Sequence, residues 1–233
     1  MSKAPKVKRI PESKKVSAPS VEINENVVRA QLIDMIEIQG QLNLMIDPDW
    51  MTSGHDWQRC IMVELCELMD HFGYKFWKKQ ETDLKQCQLE VLDIFHFWIS
   101  HSLSKKMNVN FEIMIHYFSE KRPSTPRNFD NDLTRQRIDE LVNKASNKFF
   151  AAHDMCKLIE MFIDFEDVFK MYFAKNTLNI FRQTHGYKNG SYLKIWNGKE
   201  DNVVLMEIID QFGFNRKVVQ SMLCAKYAEA LSV

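Results

Sequence analysis

Glu64 and Glu67 stand three residues apart in "MVELCELMDHF" (62–72), a stretch otherwise almost wholly apolar. On a helix, residues i and i+3 share a face. Ile61, Met62, Val63, Leu65, Cys66, Leu68, Met69 and Phe72 surround the two acids, and His71 extends their stripe. The segment reads as a central helix, apolar almost all round. A second apolar helix repeats the pattern: Glu90 and Asp93, with His96 beyond them, are set among Val91, Leu92, Ile94, Phe95, Phe97, Trp98 and Ile99.

Buried carboxylates are costly, and like charges held together are costlier. Protonation or a bound cation relieves that cost. Four carboxylates converging from two helices suit hard divalent ions such as Mg²⁺, which take oxygen ligands. Such ions can hold a phosphate chain and lower the pKa of a bound water. One E-x-x-E pattern is common and is usually answered by Lys or Arg; two of them on two strongly apolar helices are not so easily explained. A di-iron bundle is the nearest alternative, but it wants Glu-x-x-His on two helices. Here only Asp93-x-x-His96 comes close, and His71 is one place off the matching position.

A cationic stripe lies further along. In "FAKNTLNIFRQTHGYKNGSYLKIWNGKEDN" (173–202), Lys175, Asn179 and Arg182 fall at i, i+4 and i+7, and Lys188 and Lys194 follow with Tyr187 and Tyr192. Ammonium and guanidinium groups suit phosphate oxygens. An acid cluster and a cationic stripe together suggest a nucleoside triphosphate gripped by metals on one side and cations on the other. Trp77 and Lys78 in "YKFWKK" (74–79) lie close in sequence to the first acid pair. Gln39 and Asn43, at i and i+4, carry amides able to read a pyrimidine edge or a sugar hydroxyl.

These residues must be positioned by helices. The chain has 233 residues, 45% hydrophobic, with sixteen Phe, five Trp and thirteen Met to fill a core and only seven Gly and six Pro. The fold class expected is all-α, a helical bundle, over residues 21–233. Apolar spacing places a first helix from about residue 22 to Asp47-Pro48-Asp49. Asp56 should cap a second helix ending at Gly73, and Asp83 a third. A short helix near 109–119 precedes the loop "KRPSTPRNFDND" (121–132). Helices near 132–147 and 150–173 come next, then a separate one over "KNTLNIFRQ", a turn-rich loop and two C-terminal helices. Residues 1–20, basic and Pro-containing, read as a disordered tail, with at most a weak nuclear address.

The net charge is zero, so the chain as a whole advertises no nucleic-acid or membrane partner. No apolar run reaches the roughly 18 residues of a membrane span, and the N-terminus lacks the apolar core of a secretory signal. The five cysteines are odd in number and form no C-x-x-C pair, which points to free, mostly buried thiols in a reducing, cytoplasmic setting.

The motifs "ELCE", "FWKK" and "EVLD", followed by residues 175–202, resemble the all-α dimeric dUTP diphosphatase family, within the MazG-like all-α NTP pyrophosphohydrolases. The resemblance covers roughly residues 28–210 and is most specific in the later run; it is weakest over 104–150. It implies Mg²⁺, two or more ions per site, on Glu64, Glu67, Glu90 and Asp93. It implies nucleoside contacts from Gln39 and Asn43, with Trp77 and Lys78 lining the site and His96 or Phe97 flanking base or sugar. Lys175, Asn179, Arg182, Tyr187, Lys188 and Lys194 would bind phosphates or support that binding. The implied reaction is dUTP plus water to dUMP and pyrophosphate, by a metal-activated water with Glu67 as the activating acid. dUDP is implied as a second substrate, dCTP is compatible, and a homodimer is expected. A helical interaction protein without catalysis is the remaining alternative; it leaves the buried acids without a purpose.

Overall fold

The computed structural model describes residues 20–21, 24–120, 122–123 and 131–232. The basic tail expected over 1–20 lies outside them except for Ser20, and so does most of the loop expected over 121–132. Among the described residues the architecture is an all-α bundle, joined by two very short antiparallel strand pairs. No helix among them is long and apolar enough to cross a membrane.

Helix α1 spans Glu25–Ile46, α2 Trp57–Phe72 and α3 Leu84–Ser104. The expected caps are in place. The Asp56 carboxylate accepts from the Arg59 amide at 3.2 Å, and that of Asp83 from the Gln86 amide at 3.2 Å. Gly73 ends α2 at φ 96°, a conformation that suits glycine. Helices α2 and α3 form the most extensive pairing in the bundle. From α2, Ile61, Leu65, Leu68 and Phe72 are buried at helical spacing; α3 buries residues on nearly every side. The two helices therefore differ. α3 is the central one, whereas α2 leaves Val63 and Cys66 exposed, so it is one-sided rather than apolar all round.

Helix α4 (Asn108–Ser119) packs on α1 and α6 (Ala152–Phe162), and α5 (Asn131–Ser146) packs on α2. Helix α7 runs from Phe165 to Thr184 without interruption. The sequence reading of helices over 150–173 and again from Lys175 set the boundary in the wrong place. The break falls at Ile163 and Asp164, both in extended conformation, with the Ile163 amide donating to Ile159 O at 2.8 Å. No Gly or Pro marks that break, whereas Lys175-Asn176 mimics one by interrupting an apolar run. In fact both residues are buried inside a continuous helix.

Strands β3 (Ile195–Trp196) and β4 (Lys199–Glu200) form a hairpin, and β1 (Ser20–Val21) pairs with β2 (Arg122–Pro123). The β3–β4 turn is Asn197-Gly198, at φ 49° and 83°, the paired left-handed conformations that a two-residue hairpin prefers. The hairpin packs on α8 (Asp201–Phe212) and α9 (Arg216–Leu231), with Trp196 buried. None of the five cysteines is in a disulfide, and only Cys87 and Cys156 are buried; Cys66 and Cys224 are exposed on one-sided surface helices, so the thiols are not mostly buried as expected.

Candidate active site

Helices α2 and α3 carry the acids to one place. Glu64, Glu90 and Asp93 each offer a carboxylate oxygen, and these oxygens all lie within 4.8 Å of one another. Glu90 is buried, while Glu64 and Asp93 are half-buried. Glu67, one turn beyond Glu64, is exposed and stands outside that close group, although it lines the same polar cavity. His71 Nε2 lies 3.5 Å from Glu90 Oε1.

The electrostatics of the cluster are unfavourable without a cation. Burial, and then the neighbouring Asp93 and Glu90 charges, push the Glu64 carboxyl far above the usual glutamate range. Burial and Asp93 push Glu90 up as well, against the pull of Lys175. A divalent cation among these oxygens reverses both effects. Among the described residues the close group is all carboxylate, which suits a hard ion, with His71 beside it at Glu90. His96 donates from Nδ1 to the Leu92 carbonyl at 2.6 Å, and its Nε2 has no hydrogen-bond partner.

The cationic stripe of α7 faces this cluster, but not as free charges. Lys175 is wholly buried; its ammonium lies 2.7 Å from Asp93 Oδ2 and donates to Asn202 Oδ1 at 2.8 Å. Arg182 donates to both Asp201 oxygens, at 2.8 and 2.7 Å, and also to Asn202 and Asn179. The Tyr192 hydroxyl adds a third donor to Asp201 at 2.8 Å. Despite burial, these donors hold the Asp201 carboxyl below its ordinary range. The Arg182 guanidinium sits over the Tyr187 ring, 5.8 Å from its centre. Asp201 and Asn202 were not singled out from sequence. Their only signal was an acid-amide pair closing the basic run.

Two cavities meet here. One, of about 510 Å³, is polar and is lined by Glu64, Glu67, Glu90 and Asp93 together with Arg182, Tyr187, Lys194 and Asn202. The other, of about 530 Å³, is largely apolar; Gln39, Asn43, His96, Phe97 and Asn179 line it with Trp50 and Trp57. Glu64, Asp93, Arg182 and Tyr187 border both. The two tryptophans went unrecognised in the sequence because they stand in and beside the loop "DPDWMTSGHDW", which has no helical period.

The remaining candidates are more scattered. Lys194 lies 3.4 Å from Glu200 on the rim of the polar cavity. Lys188 is exposed and donates to the Ile46 carbonyl at the end of α1. Trp77 and Lys78 stand in the α2–α3 loop and line neither cavity; Trp77 is 61% exposed and packs edge-on against Tyr74 and Phe76.

A helical bundle with an acid cluster, a cationic wall and an apolar cavity has the parts of a nucleotide hydrolase. Residues 31–187 match the family model described as dUTPase, and the chain belongs to that all-helical dUTPase family. It is therefore a dUTP diphosphatase, an enzyme that hydrolyses dUTP. The matched span includes both acid pairs, Lys175 and Arg182, and closes at Tyr187. No curated protein matches the chain.

Proposed function

We propose that the chain converts dUTP to dUMP and pyrophosphate with Mg²⁺ held by Glu64, Glu90 and Asp93, Glu67 completing the set from the open side. The observation that carries this reading is the convergence of three carboxylate oxygens within 4.8 Å, answered by a single buried ammonium. When bound, two or more Mg²⁺ ions would neutralise phosphate charge and make water a stronger nucleophile at neutral pH.

The protein's own groups account for the rest. The apolar cavity takes the deoxyuridine, with Trp50, Trp57 and Phe97 excluding water and Gln39, Asn43 and His96 supplying polar contacts. Arg182 and Tyr187 border both cavities and stand where base and phosphate ends join. Lys194 approaches the phosphate chain from the rim, and Lys188 supports the loop beside it. Lys175 and Asn179 act from behind, holding Asp93 and Arg182 in place. Glu67, exposed beside the cluster, accepts the proton of the attacking water. dUDP enters as a second substrate, and dCTP as a poorer one.

The same reading includes a homodimer. Val63, Phe76 and Trp77 leave apolar surface exposed on α2 and the loop after it, and a second copy is the natural cover. Light scattering after gel filtration tests this: a dimer mass supports it and a monomer mass removes it. A reducing, cytoplasmic location fits the five free thiols.

The deciding assay is pyrophosphate release from a panel of deoxynucleoside triphosphates with Mg²⁺ and again with EDTA. Release from dUTP that stops with EDTA supports the proposal. Undiminished release in EDTA, or release of inorganic phosphate alone from dUTP, overturns it.

A further inference from the structure

We propose that Ser100 and Tyr172 are positioning residues that fix the hydrogen-bond polarity of the apolar cavity, and thereby decide which pyrimidine it takes. The inference rests on the reading of that cavity as the nucleoside end of the site.

The Ser100 hydroxyl donates its one proton to the His96 carbonyl at 2.9 Å. Its oxygen is left to accept, and it does so from Gln39 Nε2 at 3.2 Å and Asn43 Nδ2 at 2.9 Å. The second amino hydrogen of Gln39 goes to Asn43 Oδ1 at 2.9 Å. Gln39 Oε1 must then face the opposite way, where the Tyr172 hydroxyl donates to it at 3.0 Å. While the Ser100 proton stays on the His96 carbonyl, turning either amide over sets acceptor against acceptor at Ser100, and turning one alone also mismatches Gln39 with Asn43. Gln39, Asn43, Ser100 and Tyr172 are all buried, so no bulk water can repair such a mismatch.

The same reasoning fixes His96. Its Nδ1 faces the Leu92 carbonyl, which only accepts, so Nδ1 carries the proton and Nε2 is a bare lone pair. Nε2 is buried with no hydrogen-bond partner, an uncommon state. Tyr172 holds this ring too, stacked at 4.1 Å between centres and 12° between planes.

The cavity wall therefore carries a fixed set: one spare N–H on Asn43 and spare lone pairs on the two amide oxygens, with the His96 lone pair buried behind them. Uracil offers a donor at N3 beside an acceptor at O4. Cytosine offers the reverse, an acceptor at N3 beside a donor amine. Amides free to turn would fit both; amides held by Ser100 and Tyr172 fit one. Neither residue lines the cavity, so both act through Gln39, Asn43 and His96.

The test is the ratio of kcat/KM for dUTP to that for dCTP, measured with Mg²⁺ in wild type, Ser100→Ala and Tyr172→Phe. Ser100→Ala removes the anchor and should lower the ratio by about tenfold, mostly through KM for dUTP. Tyr172→Phe keeps the ring on His96 and removes only the hydroxyl; a smaller fall, about threefold, is expected. A merely structural role would slow both substrates alike, so an unchanged ratio in both variants overturns the inference. So does a wild type that shows no preference for dUTP over dCTP. If Ser100→Ala fails to fold, Tyr172→Phe decides alone. Wild type inactive on every nucleotide would instead remove the functional reading beneath the inference.

Discussion

The ammonium of Lys175, wholly buried, lies 2.7 Å from Oδ2 of Asp93. One acid of the cluster thus has a permanent partner within the fold, and the Glu64 and Glu90 charges remain to be offset from outside. Removing one partner of a buried pair is far more costly than never having built it.

Lys175→Met keeps the length of the side chain and removes the charge. Asp93 is then left beside two further carboxylates. A loss of about 3–5 kcal/mol is expected in metal-free urea unfolding, and saturating Mg²⁺ should restore part of it. An unchanged midpoint without metal would show that the pair carries no stability.

The raised Glu64 and Glu90 carboxyls set a pH dependence. Both bind protons more tightly folded than unfolded, so they favour the folded state at low pH, and that contribution is lost as pH rises through their folded-state values. Metal-free protein should therefore lose stability from about pH 5 upward, to about pH 7 for the Glu90 contribution and about pH 9 for that of Glu64. Mg²⁺ needs these groups ionised, so its stabilising shift should grow over the same range and its binding should release protons. Thermal melts with Mg²⁺ and with EDTA, together with calorimetry in buffers of different ionisation enthalpy, check both halves. A Mg²⁺ shift independent of pH would contradict them.

Glu64→Gln separates catalysis from folding. The amide keeps the shape and removes the charge that Asp93 and Glu90 oppose. Pyrophosphate release from dUTP should fall by at least about 10²-fold, while metal-free stability at alkaline pH should rise. Robust turnover by this variant would count against the carboxylate cluster as the reaction centre.

Gly186 holds the turn that delivers Tyr187. Its φ is +90°, and a Cβ there would meet Ser191 Oγ at 2.0 Å. Gly186→Ala should cost about 1–3 kcal/mol of local strain and raise KM for dUTP by displacing Tyr187. Gly190, at φ +78°, has nothing within 4 Å of such a Cβ. Gly190→Ala is therefore the control for backbone strain alone, and equal effects on KM would dismiss the clash with Ser191.

Periodicity and capping chemistry were legible in the sequence. Glu64 with Glu67, and Glu90 with Asp93, share helix faces because 3.6 residues make a turn, and Asp56 and Asp83 start their helices because their carboxylates satisfy free amides. The all-α fold and the facing of each acid pair followed from such local rules, while the family rested on the resemblance of whole motifs. Which face meets which neighbour did not follow, since that depends on packing between segments far apart in the chain. Only the tertiary structure turned Lys175 inward to Asp93, left Glu67 open to solvent, paired Arg182 with Asp201, and set Trp50 and Trp57 on the cavity wall while Trp77 stayed outside it. The physical reason is that spacing along a helix fixes relative direction on that helix alone. Burial and charge pairing are settled by the total surface and charge that distant elements bring together.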